Sequence, residues 1–233
     1  MTCDPAPSDV PPPDGVRTTR RRGRTSAAKV AALRTLGPRW SLPASGPWTS
    51  DALAAPFGRH GRWLIDVGVG NGAATIAWAR DQPDANVIAI ELHRPGIAKL
   101  LADLDAEGPA NVRVTEADAL AVLDQLPDRS IAEIRVLFPD PWPKRRHVSR
   151  RMVDRAFVQL VATVLEVGGL LHLATDSADY ADHMRTMVAT CPALVADHPA
   201  ERPDRPVTAY EQRGLDAGRT ITDLRYRVTS PST

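Results

Sequence analysis

Between Trp63 and Ala174, short apolar runs alternate with helix-like segments, and this rhythm constrains the fold more than any other feature. Strand-like runs at Trp63 to Val69, Val87 to Leu92, Val112 to Thr115 and Ile131 to Phe138 are separated by helical patterns at Ala73 to Arg80, Ile97 to Leu104 and Ala119 to Leu126. Parallel neighbours can only be joined by a crossover, so the alternation predicts βαβ units in an α/β, Rossmann-like, mostly parallel sheet with helices on both faces. An amphipathic helix over Ser149 to Leu165 should follow. A fifth strand, Gly169 to Ala174, comes after the stop signal Gly168-Gly169, then a helix over Ala178 to Ala189. The alternation of Ile221 to Val228 predicts a last strand.

A chain of 233 residues is long enough for one full α/β core plus a tail. Residues 1–16 are rich in Pro, Asp and Ser, bury too little to repay ordering, and predict a disordered tail. Residues 17–60 form a basic N-terminal arm with a short helix over Ser26 to Leu36, after which Gly37, Pro38, Pro43, Gly46 and Pro47 should break the chain repeatedly. Residues 61–233 form the core domain. No apolar run is long enough for a bilayer, and the N-terminus lacks the basic-then-apolar order of a secretory signal, which predicts a cytoplasmic protein with no membrane partner. The formal net charge is +1, but the cations are segregated. Arg20, Arg21, Arg22 and Arg24 crowd the arm, and Lys144, Arg145, Arg146, Arg150 and Arg151 form a second block. Two such blocks are candidates for gripping a phosphate backbone, or else a solvated tail and a charged helix start.

The acids are placed as regularly as the strands. Asp66, Glu91, Asp118, Asp140 and Asp176 each fall at or near the C-terminal end of a predicted strand. In an open α/β sheet those ends share one edge, where ligands bind, so the five carboxylates should meet at one crevice. Acids also end strands and cap helices for purely local reasons. Asp66-Val-Gly-Val-Gly-Asn-Gly72 is a glycine-rich strand-to-helix turn in which Gly68 and Gly70 let a ligand approach the backbone. With Ala73 as a third small residue the turn also satisfies a dinucleotide fingerprint, Glu91 being near the distance needed to hold a ribose.

The segment Leu137-Phe-Pro-Asp-Pro-Trp-Pro-Lys-Arg-Arg-His147 is neither helix nor central strand, because Pro139, Pro141 and Pro143 forbid both. It must be a stiff loop that presents side chains. A carboxylate there, Asp140, can accept from N1 and N2 of guanine, a donor pair other bases do not present. Trp142 offers a stacking face, and Lys144 and Arg145 offer charge to a flanking phosphate.

The acid before the first glycine resembles the first motif of class I methyltransferases, whose cofactor is S-adenosylmethionine. In such a protein Glu91 would hold the ribose and Asp118 the adenine amino group. Phe138-Pro-Asp-Pro-Trp142 with Lys144 to His147, Ala174-Thr-Asp176 with Tyr180 and His183-Met184, Arg205-Pro-Val-Thr-Ala-Tyr-Glu-Gln-Arg-Gly214, and Glu91-Leu-His-Arg-Pro-Gly96 together resemble the motifs of the bacterial tRNA (guanine-N7)-methyltransferase family, over nearly all of Arg20 to Val228. The resemblance implies that Asp66, Gly68, Gly70, Glu91, Asp118 and Asp140 line the cofactor pocket, with Asp140 as the catalytic acid. Lys144, Asp176, Thr208, Ala209, Tyr210 and Glu211 would contact substrate. Arg20, Arg21, Arg22, Arg24, Arg145 and Arg146 would hold the tRNA backbone. The implied target is the variable-loop guanosine, position 46. The chain departs from the family pattern at Asp66, Pro143, Ser177 and Leu215, where Glu, His, Trp and His are more usual.

Guanine N7 carries a lone pair and no proton, so its methylation requires alignment and no general base. Three other readings stay open on residues alone: a nicotinamide oxidoreductase, an amino-group methyltransferase whose Asp-Pro-Pro-aromatic loop Asp140-Pro-Trp142 only partly matches, and a noncatalytic RNA-binding module. The six histidines and two cysteines show no metal-ligand spacing, so no metal is expected, and both a monomer and a homodimer are compatible with the sequence.

Overall fold

The computed structural model describes residues 26–198 and 205–230. Strands β1 (Arg62–Val67), β2 (Ala85–Glu91), β3 (Val112–Glu116), β4 (Ile131–Leu137) and β5 (Leu165–Thr175) pair in parallel, and β6 (Leu194–Ala196) and β7 (Thr222–Val228) complete the sheet in the order β3-β2-β1-β4-β5-β7-β6. β7 runs antiparallel to both β5 and β6. The mostly parallel α/β sheet read from the sequence is therefore present. Its central strands are buried on both faces: Leu64, Ile65, Val87, Ile88 and Ile134 are all completely covered.

Alternation of side chains along the strands divides the apolar residues into two layers. Leu64, Val87, Ala89, Val112 and Val114 pack with α1 (Ala27–Trp40), α3 (Ala73–Asp81) and α4 (Arg94–Glu107). Ile65, Val67, Ile88, Ile90, Leu171 and Leu173 pack with α2 (Ser50–Phe57), α5 (Ala119–Leu123), α6 (Arg155–Val164) and α7 (Ala178–Val188). A further helix, α8 (Ala209–Asp216), opens on a capping box in which Thr208 and Glu211 satisfy each other's backbone N–H groups.

The structure departs from the local sequence signals in three places. The first helix does not stop at Leu36 but continues through Gly37 and Pro38 to Trp40. Trp40 is buried, its indole N–H reaches Asp105 of α4 at 3.3 Å, and the Arg39 guanidinium lies 4.7 Å from its ring centre. This packing outweighs the propensity of two residues in the last turn, where Pro38 removes only one backbone donor. Residues 149–165 do not form one helix. Arg145–Arg150 is a 3-10 helix, and α6 starts at Arg155 because the Asp154 carboxylate accepts from Phe157 N–H at 2.9 Å and caps it. Gly168-Gly169 lies inside β5, where the register jumps from Ile131↔Leu165 to Glu133↔Leu170 and Gly168 takes φ 82°. The segments α2, β6 and α8 had no clear signal in the apolar pattern.

Replacing Trp40 by Ala is expected to lower unfolding free energy by about 3 kcal/mol, since a large buried aromatic is lost from the α1/α4 contact. Urea denaturation followed by circular dichroism measures this directly.

Candidate active site

A cleft opens at the C-terminal edge of the sheet, between the turn after β1 and the loop after β4. Gly68, Gly70, Glu91, Asp140, Trp142 and Tyr210 are on its wall, with Ile90, Ala117, Ala119 and Met152 as apolar lining. The turn is built for close approach: Gly68 and Gly70 have φ of 75° and 58°. A methyl group on Gly96, at the start of α4, would lie 2.1 Å from the Gly70 carbonyl oxygen, so this glycine lets α4 pack directly on the turn.

Glu91 is fixed by backbone. Its Oε2 accepts from Gly70 N–H at 2.9 Å, and its Oε1 accepts from Leu92 N–H at 2.7 Å and His93 N–H at 2.8 Å. A carboxylate has about four acceptor positions, so roughly one remains, on Oε2, for a ligand hydroxyl. Asp118 is the N-cap of α5, accepting from Leu120 N–H at 3.0 Å, and its neighbours Ala117 and Ala119, not its own side chain, line the cleft.

Asp66 is buried beneath the turn, accepts from the Thr75 hydroxyl at 2.6 Å, and lines a smaller pocket together with Val207, Thr208 and Tyr210. Burial raises its pKa to about 6, the Thr75 hydrogen bond and nearby Arg135 only partly opposing that effect. Tyr210 stands between the pocket and the larger cleft. It is half exposed, a Cβ on Gly70 would lie 3.4 Å from its ring, and Arg213 is 4.5 Å from its ring centre.

The loop after β4 holds two non-glycine residues in the left-handed region, Phe138 at φ 55° and Trp142 at φ 42°, on either side of Asp140. Such conformations cost on the order of 1–3 kcal/mol each and persist only where surroundings enforce them. Phe138 N–H donates to the Ala174 carbonyl at 2.8 Å, which ties the loop to the end of β5. Asp140 is exposed at the cleft mouth. Trp142 is flanked by Arg150, 5.1 Å from its ring centre, and by the edge of His147. Lys144, Arg145 and Arg146 are exposed beside it.

Asp176 follows β5 and is ion-paired with Arg219 at 2.8 Å. Of the substrate residues anticipated in α8, Ala209 and Tyr210 face outward, whereas Glu211 is buried and bonded to Arg205. Thr208 spends its hydroxyl on the Glu211 N–H at 3.0 Å. Arg20, Arg21, Arg22 and Arg24 lie outside the described residues. Sequence reasoning missed the roles of Arg205 and Arg219, because a cation's partner distant in the chain leaves no local signal. Among the described residues there is no group of three or more His, Cys, Asp and Glu that could hold a metal ion, and no helix is long and apolar enough to cross a membrane.

A family model described as "Putative methyltransferase" matches residues 61–224. A tRNA (guanine-N(7)-)-methyltransferase of Alkalilimnicola ehrlichii is 41% identical over 216 residues, covering 89% of this chain and 90% of that one. The protein of the same name from Chromohalobacter salexigens is 40% identical over 95% of this chain and 94% of its own. The chain belongs to the tRNA (guanine-N7)-methyltransferase family. Among solved structures, the aminoglycoside resistance methyltransferase NpmB1 aligns with TM-score 0.54 at 15% identity, covering 82% of this chain and 99% of that one. A 16S rRNA adenine methyltransferase variant from Catenulisporales acidiphilia, solved with its cosubstrate SAM, gives 0.54 at 16%, covering 79% and 93%. These two likenesses concern the fold: a class I methyltransferase sheet, as the first glycine motif implied.

The position of Asp66 carries a pH signature. Its folded pKa is raised above the unfolded value, so ionising it opposes folding, and the stability that the neutral acid contributes is lost as pH rises through about 6. Asp66→Asn should therefore melt at a higher temperature than the parent at pH 7.5. The difference should shrink as pH falls below that value and vanish near pH 4, as differential scanning fluorimetry across pH would register.

Proposed function

We propose that this protein transfers the methyl group of S-adenosylmethionine to N7 of a guanosine in tRNA, the target being the variable-loop guanosine at position 46, in the cytoplasm. The observation that carries the reading is the position of Asp140 at the mouth of a cleft whose inner wall is the glycine turn and the anchored carboxylate of Glu91, in a chain of this family.

The residues fit the cofactor. Glu91 can accept a ribose hydroxyl on Oε2, Ala117, Ala119 and Ile90 give an apolar slot for adenine, and the pocket lined by Asp66 can take the amino acid moiety with its ammonium near that carboxylate. Bound there, S-adenosylmethionine supplies an electrophilic methyl carbon on a sulfonium. Asp140 would accept from N1 and N2 of the target guanine and so turn the opposite edge, with N7, toward the donor. The product purine is cationic, and the carboxylates of Asp140 and Asp176 stabilise that developing charge. Trp142 would stack on a base, Lys144, Arg145 and Arg146 would meet the flanking phosphates, and Ala209 and Tyr210 would close over the substrate. The basic segment Arg20, Arg21, Arg22 and Arg24 belongs to an N-terminal arm that holds the tRNA backbone. Guanine N7 is often engaged in tertiary structure, so the base is partly extruded to react.

Incubation with unmodified tRNA and labelled S-adenosylmethionine should yield 7-methylguanosine on nucleoside mass spectrometry, at the variable-loop position on sequencing. Asp140→Ala should lose about 100-fold or more in turnover while tRNA affinity stays nearly unchanged. A different methylated nucleoside, or a fully active variant, would refute the role given to Asp140.

A further inference from the structure

The loop that presents Asp140 is poor in its own means of anchoring. Pro139, Pro141 and Pro143 have no N–H, so half of residues 138–143 cannot donate, while two non-glycine residues hold left-handed backbone. The Phe138 N–H secures its beginning. Its middle is secured from outside: Arg151 donates from Nε to the Pro141 carbonyl at 2.9 Å, one residue beyond Asp140.

Arg151 is almost fully buried, yet it comes from the block of cations whose other members face solvent. Its second arm bonds the Asp179 carboxylate in the first turn of α7, and the guanidinium lies 4.9 Å from the ring centre of the buried Tyr180. The Tyr180 hydroxyl in turn accepts from Val153 N–H at 3.2 Å, which locks the ring against the segment that follows Arg151. Asp179 itself is largely exposed. α7 begins directly after Asp176, whose following residue Ser177 caps the helix by accepting from Tyr180 N–H at 3.3 Å. One planar cation thus spans the Asp140 loop and the helix start beside Asp176. A lysine ammonium, a point donor on a flexible stem, cannot hold a carbonyl and a carboxylate in the same fixed geometry.

We propose that Arg151 is a positioning residue for methyl transfer: by clamping the Pro141 carbonyl to α7 it fixes the Asp140 carboxylate relative to the cleft and to Asp176. This rests on the reading of Asp140 as the group that orients the guanine. Arg151 does not line the cofactor cleft, so its effect falls on turnover and leaves cofactor affinity alone.

The test compares Arg151→Lys, Asp179→Ala and Asp140→Ala in the full-length protein. For Arg151→Lys, turnover on unmodified tRNA is expected to fall about 10- to 100-fold, the scale of a small misplacement of reacting groups. Asp179→Ala, which removes an exposed side chain holding only the far arm of the clamp, should lose a smaller part of the same turnover. S-adenosylmethionine affinity by calorimetry and KM for tRNA should stay within about twofold in both. Hydrogen exchange in peptides covering residues 137–147 should accelerate, with the strands unchanged. Normal turnover and normal loop exchange in both variants overturn the proposal, as does a turnover loss matched by equal losses of cofactor affinity and melting temperature. Should Arg151→Lys fail to fold, Asp179→Ala decides by the same readouts. An active Asp140→Ala protein would instead overturn the reading of Asp140, while loop exchange would still report whether the clamp exists.

Discussion

β1 is hydrogen-bonded in parallel to β2 on one side and to β4 on the other, with Ile65 opposite both Ile88 and Ile134. The chain must leave β1 and β4 in diverging directions, because their crossovers run to different halves of the sheet, and no backbone fills the space above their ends. The cleft is that space. The turn after β1 forms one wall and the loop after β4 the other, so the glycines of the first and the prolines of the second answer to a single topological fact. Parallel pairing also removes the central strands from water on both faces, which is why Leu64, Ile65, Val87, Ile88 and Ile134 are apolar and completely covered.

One part of the sheet is finished differently. Over β4, β5 and β7 the face that carries α3 and α4 elsewhere bears polar pairs: Glu133 with Arg135 at 2.8 Å, and His172 with Asp223 at 2.7 Å, the second pair bonded to Arg205. Arg205 bonds Asp223 through two nitrogens and Glu211 through a third, and lies 5.5 Å from the ring centre of Phe138. Burial lowers the pKa of His172, although the Asp223 hydrogen bond opposes this. Burial alone would raise that of Asp223, but the hydrogen bonds from His172 and Arg205 pull it below the ordinary range. Such a network adds little net stability compared with apolar packing, yet removing one member strands the others. Its consequence lies in placement: it joins β7, the first turn of α8 and the start of the Asp140 loop through one buried guanidinium. Glu211, a substrate residue by resemblance, serves here as an anchor that sets Tyr210 over the glycine turn.

Much of the site was legible because its signals are local. Glycines before a helix, prolines that exclude regular structure and an acid at each strand end are properties of neighbouring residues, and Glu91 and Asp140 do meet at one cleft. Asp118 shows two local roles open to one residue type: an acid before a helix can cap it, bind a ligand or do both, and in the structure one oxygen of Asp118 accepts from the Leu120 N–H. Equally, Gly37 and Pro38 are breakers by composition, but Trp40 had a buried site to fill on α4, and no reading of one segment contains that partner.

By itself the sequence determined the parallel sheet, the edge at which ligands bind and the family motifs, since strand periodicity, turn residues and motif order are set by spacing along the chain. Only the tertiary structure decided which partners each carboxylate takes and which cations turn inward. Arg150 and Arg151 are adjacent and chemically identical, yet one is exposed beside Trp142 and the other is buried against Pro141 and Asp179. That difference comes from partners 10 and 28 residues away, brought together by packing of α7 on the sheet. Contacts at that separation leave no periodic trace in the chain.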